Sequence, residues 1–208
     1  MKPQNLLLAG LAVLAFAWGG PLPAMVPASF AAHMTIHMLV VAVGMPLIAA
    51  GLAPLISHWR IFRLQVSLPI AVSILDFVVI WGWHAPALHE AARGGGWVLA
   101  LEQFSFAAVA LLVWLVALAA PPGDRRLAAL GGAMALFFTS MHMTLLGALC
   151  GLAPRLIFDA KYVDGCWGGS PIADQQIGGV LMLAIGGAVY LLGGVTLIAR
   201  VLDRRVTA

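Results

Sequence analysis

Ala31-Ala32-His33-Met34-Thr35-Ile36-His37-Met38-Leu39-Val40-Val41-Ala42-Val43-Gly44-Met45-Pro46-Leu47-Ile48, continuing to Ile56 without a charged residue, is the stretch that decides the fold. A helix needs about 20 apolar residues to cross about 30 Å of hydrocarbon, and this run meets that length. Working outward, comparable runs lie near 5–18, 66–83, 97–120, 127–152 and 177–202. The chain of 208 residues is 62% hydrophobic and 9% charged, with a mean hydropathy of +1.02. A soluble domain carries about a quarter of its residues charged, so a water-soluble fold is excluded. The sequence predicts an all-α, polytopic membrane bundle of about six helices, occupying residues 1–208 as one domain. The run at 5–18 reads as a retained span, with a signal-peptide core as the alternative.

The net charge of +3 does not point to nucleic acid, because the cations stand singly or in pairs between apolar runs. If the spans alternate, Lys2, Arg60, Arg63, Arg125, Arg126, Arg200, Arg204 and Arg205 fall on one side of the bilayer. Arg93, Arg155 and Lys161 fall on the other. The positive-inside bias then puts both termini in the cytoplasm of a bacterial inner membrane and turns 21–32, 84–96 and 151–176 outward. Cys150 and Cys166 both fall at that oxidising face. A structural disulfide is the first reading, with a thiolate metal pair or two unpaired thiols as alternatives.

The chemistry-bearing residues gather at the same end. His33 and His37 are four residues apart and share a helix face, with Met34 and Met38 as a second stripe. Thioethers suit cuprous copper and imidazole accepts copper, zinc or iron, so the mixture points to Cu(I) first. Met141-His142-Met143 lies about 12 Å below the outer end of its span, given the helical rise, near the depth of His37. Asp76 sits about two turns below His84, and Glu102 and Asp174 place acids at the outer ends of two further spans. Polar side chains inside a membrane are expensive and usually face the bundle interior or a functional cavity. The candidate metal ligands are therefore His33, Met34, His37, Met38, Asp76, His84, Glu102, Met141, His142, Met143 and Asp174. The ordinary alternatives are packing for the methionines, hydrogen bonding for the histidines and a helix N-cap for Asp174. Trp81 and Trp83 read as interfacial anchors, and His89 as a loop residue. No nucleophile triad, phosphate loop or zinc-protease helix is present, so enzyme chemistry is not expected.

Several short motifs occur in order: Gly44-Met45-Pro46-Leu47, Gly51-Leu52-Ala53-Pro54, Trp83-His84-Ala85-Pro86-Ala87-Leu88, Leu101-Glu102-Gln103-Phe104-Ser105-Phe106 and Asp174-Gln175-Gln176-Ile177-Gly178-Gly179. Together with the His33 to His37 segment, they resemble the CtaG family of cytochrome c oxidase assembly factors of the caa-type branch. That resemblance implies a metallochaperone-like protein handling copper for a haem-copper oxidase through His33, His37, His84, Glu102 and Asp174. Its partners would be oxidase subunits or a periplasmic copper chaperone, with a homo-oligomer left open. The resemblance leads one to expect a histidine after the acid of the fourth span, where this chain has Gln103. Two other readings stand beside copper handling: a haem b electron-transfer protein with axial ligands such as His37 and His142, and a metal-free membrane scaffold.

Overall fold

The computed structural model describes residues 2–119, 125–158 and 167–203. The end of the run at 97–120 and the sequence readings that rest on Lys161, Cys166, Arg204 and Arg205 lie outside these residues. Seven helices carry the architecture: α1 (Pro3–Gly19), α2 (Phe30–Ile56), α3 (Ser67–Trp83), α4 (Pro86–Arg93), α5 (Gly96–Leu118), α6 (Arg125–Gly151) and α7 (Pro171–Leu202). Five stretches are long and apolar enough to cross a membrane by themselves. The pair α3 and α4, bent by 71°, makes a sixth if the two count as one broken span. The all-α membrane bundle expected from hydropathy is the fold observed.

Local sequence explains the helix starts and the sharpest bend. Ser29 and Ser170 each accept a bond from a backbone N–H three residues on (Ala32, 3.0 Å; Ala173, 3.3 Å), capping α2 and α7. Pro3, Pro86 and Pro171 stand in the first turns of α1, α4 and α7, where a missing N–H costs nothing. Pro86 also forces Ala85 into an extended conformation, which ends the α3 direction and starts α4 at an angle. The return from α4 into α5 uses Gly95 and Gly96, whose φ angles of 79° and 66° suit residues without a Cβ.

Two helices change pitch midway, α2 through a π-helical segment at Leu39–Gly44 and α7 through another at Met182–Gly187. In α2 the wide turn immediately precedes Pro46, whose ring would clash with the carbonyl four residues earlier in a regular α-helix.

Glycines set the helix approaches. Gly51 of α2 meets Pro3 and Leu7 of α1, while Gly10 of α1 meets Gly44 and Ile48, so these helices run antiparallel. A Cβ on Gly179 would collide with the backbone of Gly147 and Gly151, and one on Gly194 with Phe137, which fixes α6 and α7 as a close antiparallel pair. Small residues serve this purpose between membrane helices, where dispersion replaces the hydrophobic drive. Side chains such as Ile74, Val78, Phe104 and Leu192 point outward, as lipid contact requires. Alternation of the spans brings the starts of α2, α5 and α7 to the same end as the finishes of α3 and α6. Lys2, Arg60, Arg63, Arg125, Arg126 and Arg200 are at the opposite end.

Candidate metal centre

At the shared end, α2 and α5 run parallel and bring a histidine pair against an acid. His33 Nε2 donates to Glu102 Oε2 at 2.7 Å, and His37 Nε2 lies 3.8 Å from Glu102 Oε1. Donor atoms of His33, His37 and Glu102 lie within 4.8 Å of one another, and all three side chains are buried. The spacing of four residues on α2 brings the two imidazoles side by side, tilted at 47° with ring centroids 4.4 Å apart.

The bend between α3 and α4 brings in two more imidazoles. His84, at the end of α3, places Nδ1 2.7 Å from the Ile80 carbonyl, so Nδ1 carries the proton and Nε2 is left as a lone pair. Its ring centroid is 6.0 Å from those of both His37 and His89. His89, on α4, stacks on His33 at 4.9 Å. α4 is held down by Arg93, which donates to the Pro27 carbonyl at 3.0 Å. Phe158 covers the cluster, its ring 4.2 Å from that of His89. His89 is fully buried.

Buried polar atoms normally find partners, yet among the described residues six atoms of this cluster have no hydrogen-bond partner: His33 Nδ1, His37 Nε2, His84 Nε2, both nitrogens of His89 and Glu102 Oε1. Such a concentration of orphaned ligand atoms fits a cation site. Gln103, standing where a histidine was expected, packs beside it. Its amide nitrogen donates to His37 Nδ1 at 3.0 Å and Glu102 Oε2 at 3.3 Å, while its oxygen accepts from Trp18 Nε1 at 3.3 Å.

The other candidate ligands are elsewhere. Met34 packs against Gly178, and Met38 and Met143 meet at Gly186, so these thioethers fill the contact with α7. Met141 is 61% exposed on the outside of the bundle. Asp76 and His142 form a separate buried pair: His142 Nε2 donates to Asp76 Oδ2 at 2.9 Å and Thr139 donates to the same oxygen at 2.8 Å.

Asp174 does not cap its own helix, because Ser170 does. It caps α2 instead. Its Oδ2 accepts from the N–H groups of Phe30 (2.6 Å) and Ala31 (3.4 Å), and its Oδ1 from the Ser29 hydroxyl and the Trp167 N–H. Gln175 accepts from the Ile157 N–H at 2.8 Å and Gln176 donates to the Ala153 carbonyl at 3.1 Å, pinning the chain that carries Phe158. Trp81 and Trp83 are half-buried near the end of α3, with Trp81 stacked on Phe77. Cys150 is buried, and its expected partner Cys166 lies outside the described residues.

His89 is the member of the cluster that sequence reasoning passed over. Proline at a helix start followed by Ala87-Leu88-His89-Glu90-Ala91-Ala92-Arg93, good helix formers, was the available signal for a helix there.

These features define a polytopic helical membrane protein with a buried imidazole and carboxylate centre near one end of its bundle. The family model for the cytochrome c oxidase caa3 assembly factor (Caa3_CtaG) matches residues 4–204, and the chain belongs to this family. No curated protein and no solved structure matches it. Membership gives the protein a role in assembling cytochrome c oxidase and implies interaction with that oxidase.

Proposed function

We propose that the protein binds copper as cargo at the His33, His37 and Glu102 centre and passes it to the oxidase during assembly, without itself acting as an enzyme. The observation that carries this reading is the set of orphaned, buried imidazole and carboxylate atoms converging from α2, α3, α4 and α5. Imidazole suits copper, and among divalent first-row ions copper binds such donors most tightly. The methionines take no part, so selectivity for cuprous copper does not come from thioethers here. The cationic ends of the bundle support an orientation with both termini in the cytoplasm and the metal centre facing the periplasm of a bacterial inner membrane. There a periplasmic copper chaperone or an oxidase subunit would meet it.

Metal analysis of detergent-purified protein, loaded with copper and washed, tests the reading. Wild type is expected to retain copper, and the double variant His33→Ala with His37→Ala to lose it while keeping its elution profile. A wild type that washes free of copper, or a double variant that retains it undiminished, overturns the proposal.

A further inference from the structure

We propose, on the copper-binding reading above, that Gln103 is a positioning residue and a latch: Trp18 holds its amide so that His37 keeps Nε2 protonated until copper enters. Two partners with one-way chemistry set the direction of that amide. An indole N–H can only donate, so the end of Gln103 that lies 3.3 Å from Trp18 Nε1 is the oxygen. An ionised carboxylate can only accept, so the end that lies 3.3 Å from Glu102 Oε2 is the nitrogen. His37 Nδ1, 3.0 Å from the same amide nitrogen, must then accept. The ring is therefore neutral, with its proton on Nε2.

His37 Nε2 is the nitrogen turned toward Glu102 Oε1, 3.8 Å away. In the metal-free centre Glu102 thus faces N–H groups of His33, His37 and Gln103, and the lone pair of His37 is occupied by Gln103. His33 is not held in this way. Its Nδ1 has no hydrogen-bond partner among the described residues, so no bond at that nitrogen opposes a shift of its proton.

For His37 to ligate through Nε2, the ring gives up the proton there and takes one on Nδ1, its total unchanged. The new Nδ1–H needs an acceptor, and Gln103 supplies one by turning its amide over. A carbonyl bonded to the far nitrogen fixes a metal-binding imidazole and raises its basicity. The same turn sets the amide N–H groups against the Trp18 N–H, two donors that cannot bond, and Trp18 is released. It also brings the amide oxygen toward Glu102, a repulsion that a cation on the carboxylate offsets. Trp18 is half-buried, its ring centroid 5.1 Å from that of Phe104. A cavity of about 220 Å³ lined by Trp18, Pro23, Ile36, Leu99, Gln103 and Phe104 lies beside the amide. Because Trp18 is on α1 and Gln103 on α5, filling the centre alters the contact between these helices.

The test uses full-length protein in detergent with nitrogen-15 in its histidine and tryptophan rings, metal-free and loaded anaerobically with Cu(I). Nitrogen NMR separates protonated from bare ring nitrogens; His37 is assigned by its loss in His37→Asn and Trp18 by its loss in Trp18→Phe. Metal-free protein is expected to show His37 protonated at Nε2 and bare at Nδ1. Copper should reverse the two and move the Trp18 N–H signal from its hydrogen-bonded position. Trp18→Phe keeps a ring against Phe104 but cannot hold the amide. It should bind Cu(I) about threefold to tenfold more tightly in competition with a chromophoric chelator, the factor one hydrogen bond supplies. Metal-free His37 protonated at Nδ1 overturns the latch. Loaded His37 still protonated at Nε2 overturns the turn of the amide and leaves copper binding standing, whereas wild type that retains no copper overturns both. Monodisperse Trp18→Phe that binds Cu(I) no more tightly overturns the part given to Trp18.

Discussion

Asp174 and Glu102 are both buried carboxylates near the same end of the bundle, and they are used in opposite ways. Asp174 has each oxygen shared between two donors, among them first-turn N–H groups of α2, which no intrahelical carbonyl can satisfy. Glu102 accepts from His33 and Gln103 on one oxygen and leaves the other bare beside His37. A carboxylate whose bonds are complete holds helices together; one left open among orphaned imidazoles has room for a cation. Residue type and burial do not distinguish the two. Only the count of filled acceptor positions does.

The comparison can be broken most severely at Asp174. Asp174→Ala would strand the N–H groups of Phe30, Ala31 and Trp167, at about 1–3 kcal/mol for each buried group left unsatisfied. A loss of roughly 3 kcal/mol or more is expected, seen as a collapse in monodisperse yield and melting temperature, with partial recovery in Asp174→Asn. Glu102→Gln should do the reverse: the melting temperature of chelator-treated protein holds or rises, since an open buried charge is removed, while copper affinity falls by about tenfold or more in chelator competition. A large loss of apo stability in Glu102→Gln would erase the contrast.

Asp76→Asn sharpens it from a third position. The Asp76 and His142 pair is an interhelical contact of α3 with α6, and such bonds within membranes are worth about 0.6 kcal/mol on average and at most about 1.7. A drop of about 1 kcal/mol in stability with unchanged copper stoichiometry is expected. Met141→Leu, on the exposed face, should alter neither melting temperature nor copper content beyond the scatter of replicate measurements.

The class of fold was legible because apolar runs of membrane-crossing length have few alternative structures in a chain this poor in charge. His33 and His37 were legible through their spacing, and Glu102 through the cost of an acid at the mouth of a span. The methionines misled for a geometric reason. Adjacent residues on an α-helix are about 100° apart around its axis, so Met34 and Met38 must look away from whatever His33 and His37 face; in the structure they face α7. Asp174 was read as a candidate metal ligand, with a cap for the helix that bears it as the alternative, because a neighbour-helix cap leaves no local pattern. His89 was missed because its place depends on the α3 to α4 bend, and a short helix folded over a site has no hydropathy signature.

The π-helical segment of α2 gives that helix a phase as well as a length. Above Leu39–Gly44 lie the histidines, and below it the residues that pack against α1 and α5. The extra residue in the wide turn sets one half about 100° out of step with the other. Removing a single residue there would shorten the span by only about 1.5 Å and leave its hydropathy intact, yet it would rotate the histidine face off Glu102. Among natural variants of this chain, the segment should tolerate substitutions far better than single-residue gaps, and a gap in α2 should be matched by a gap or insertion elsewhere in that helix that restores the turn.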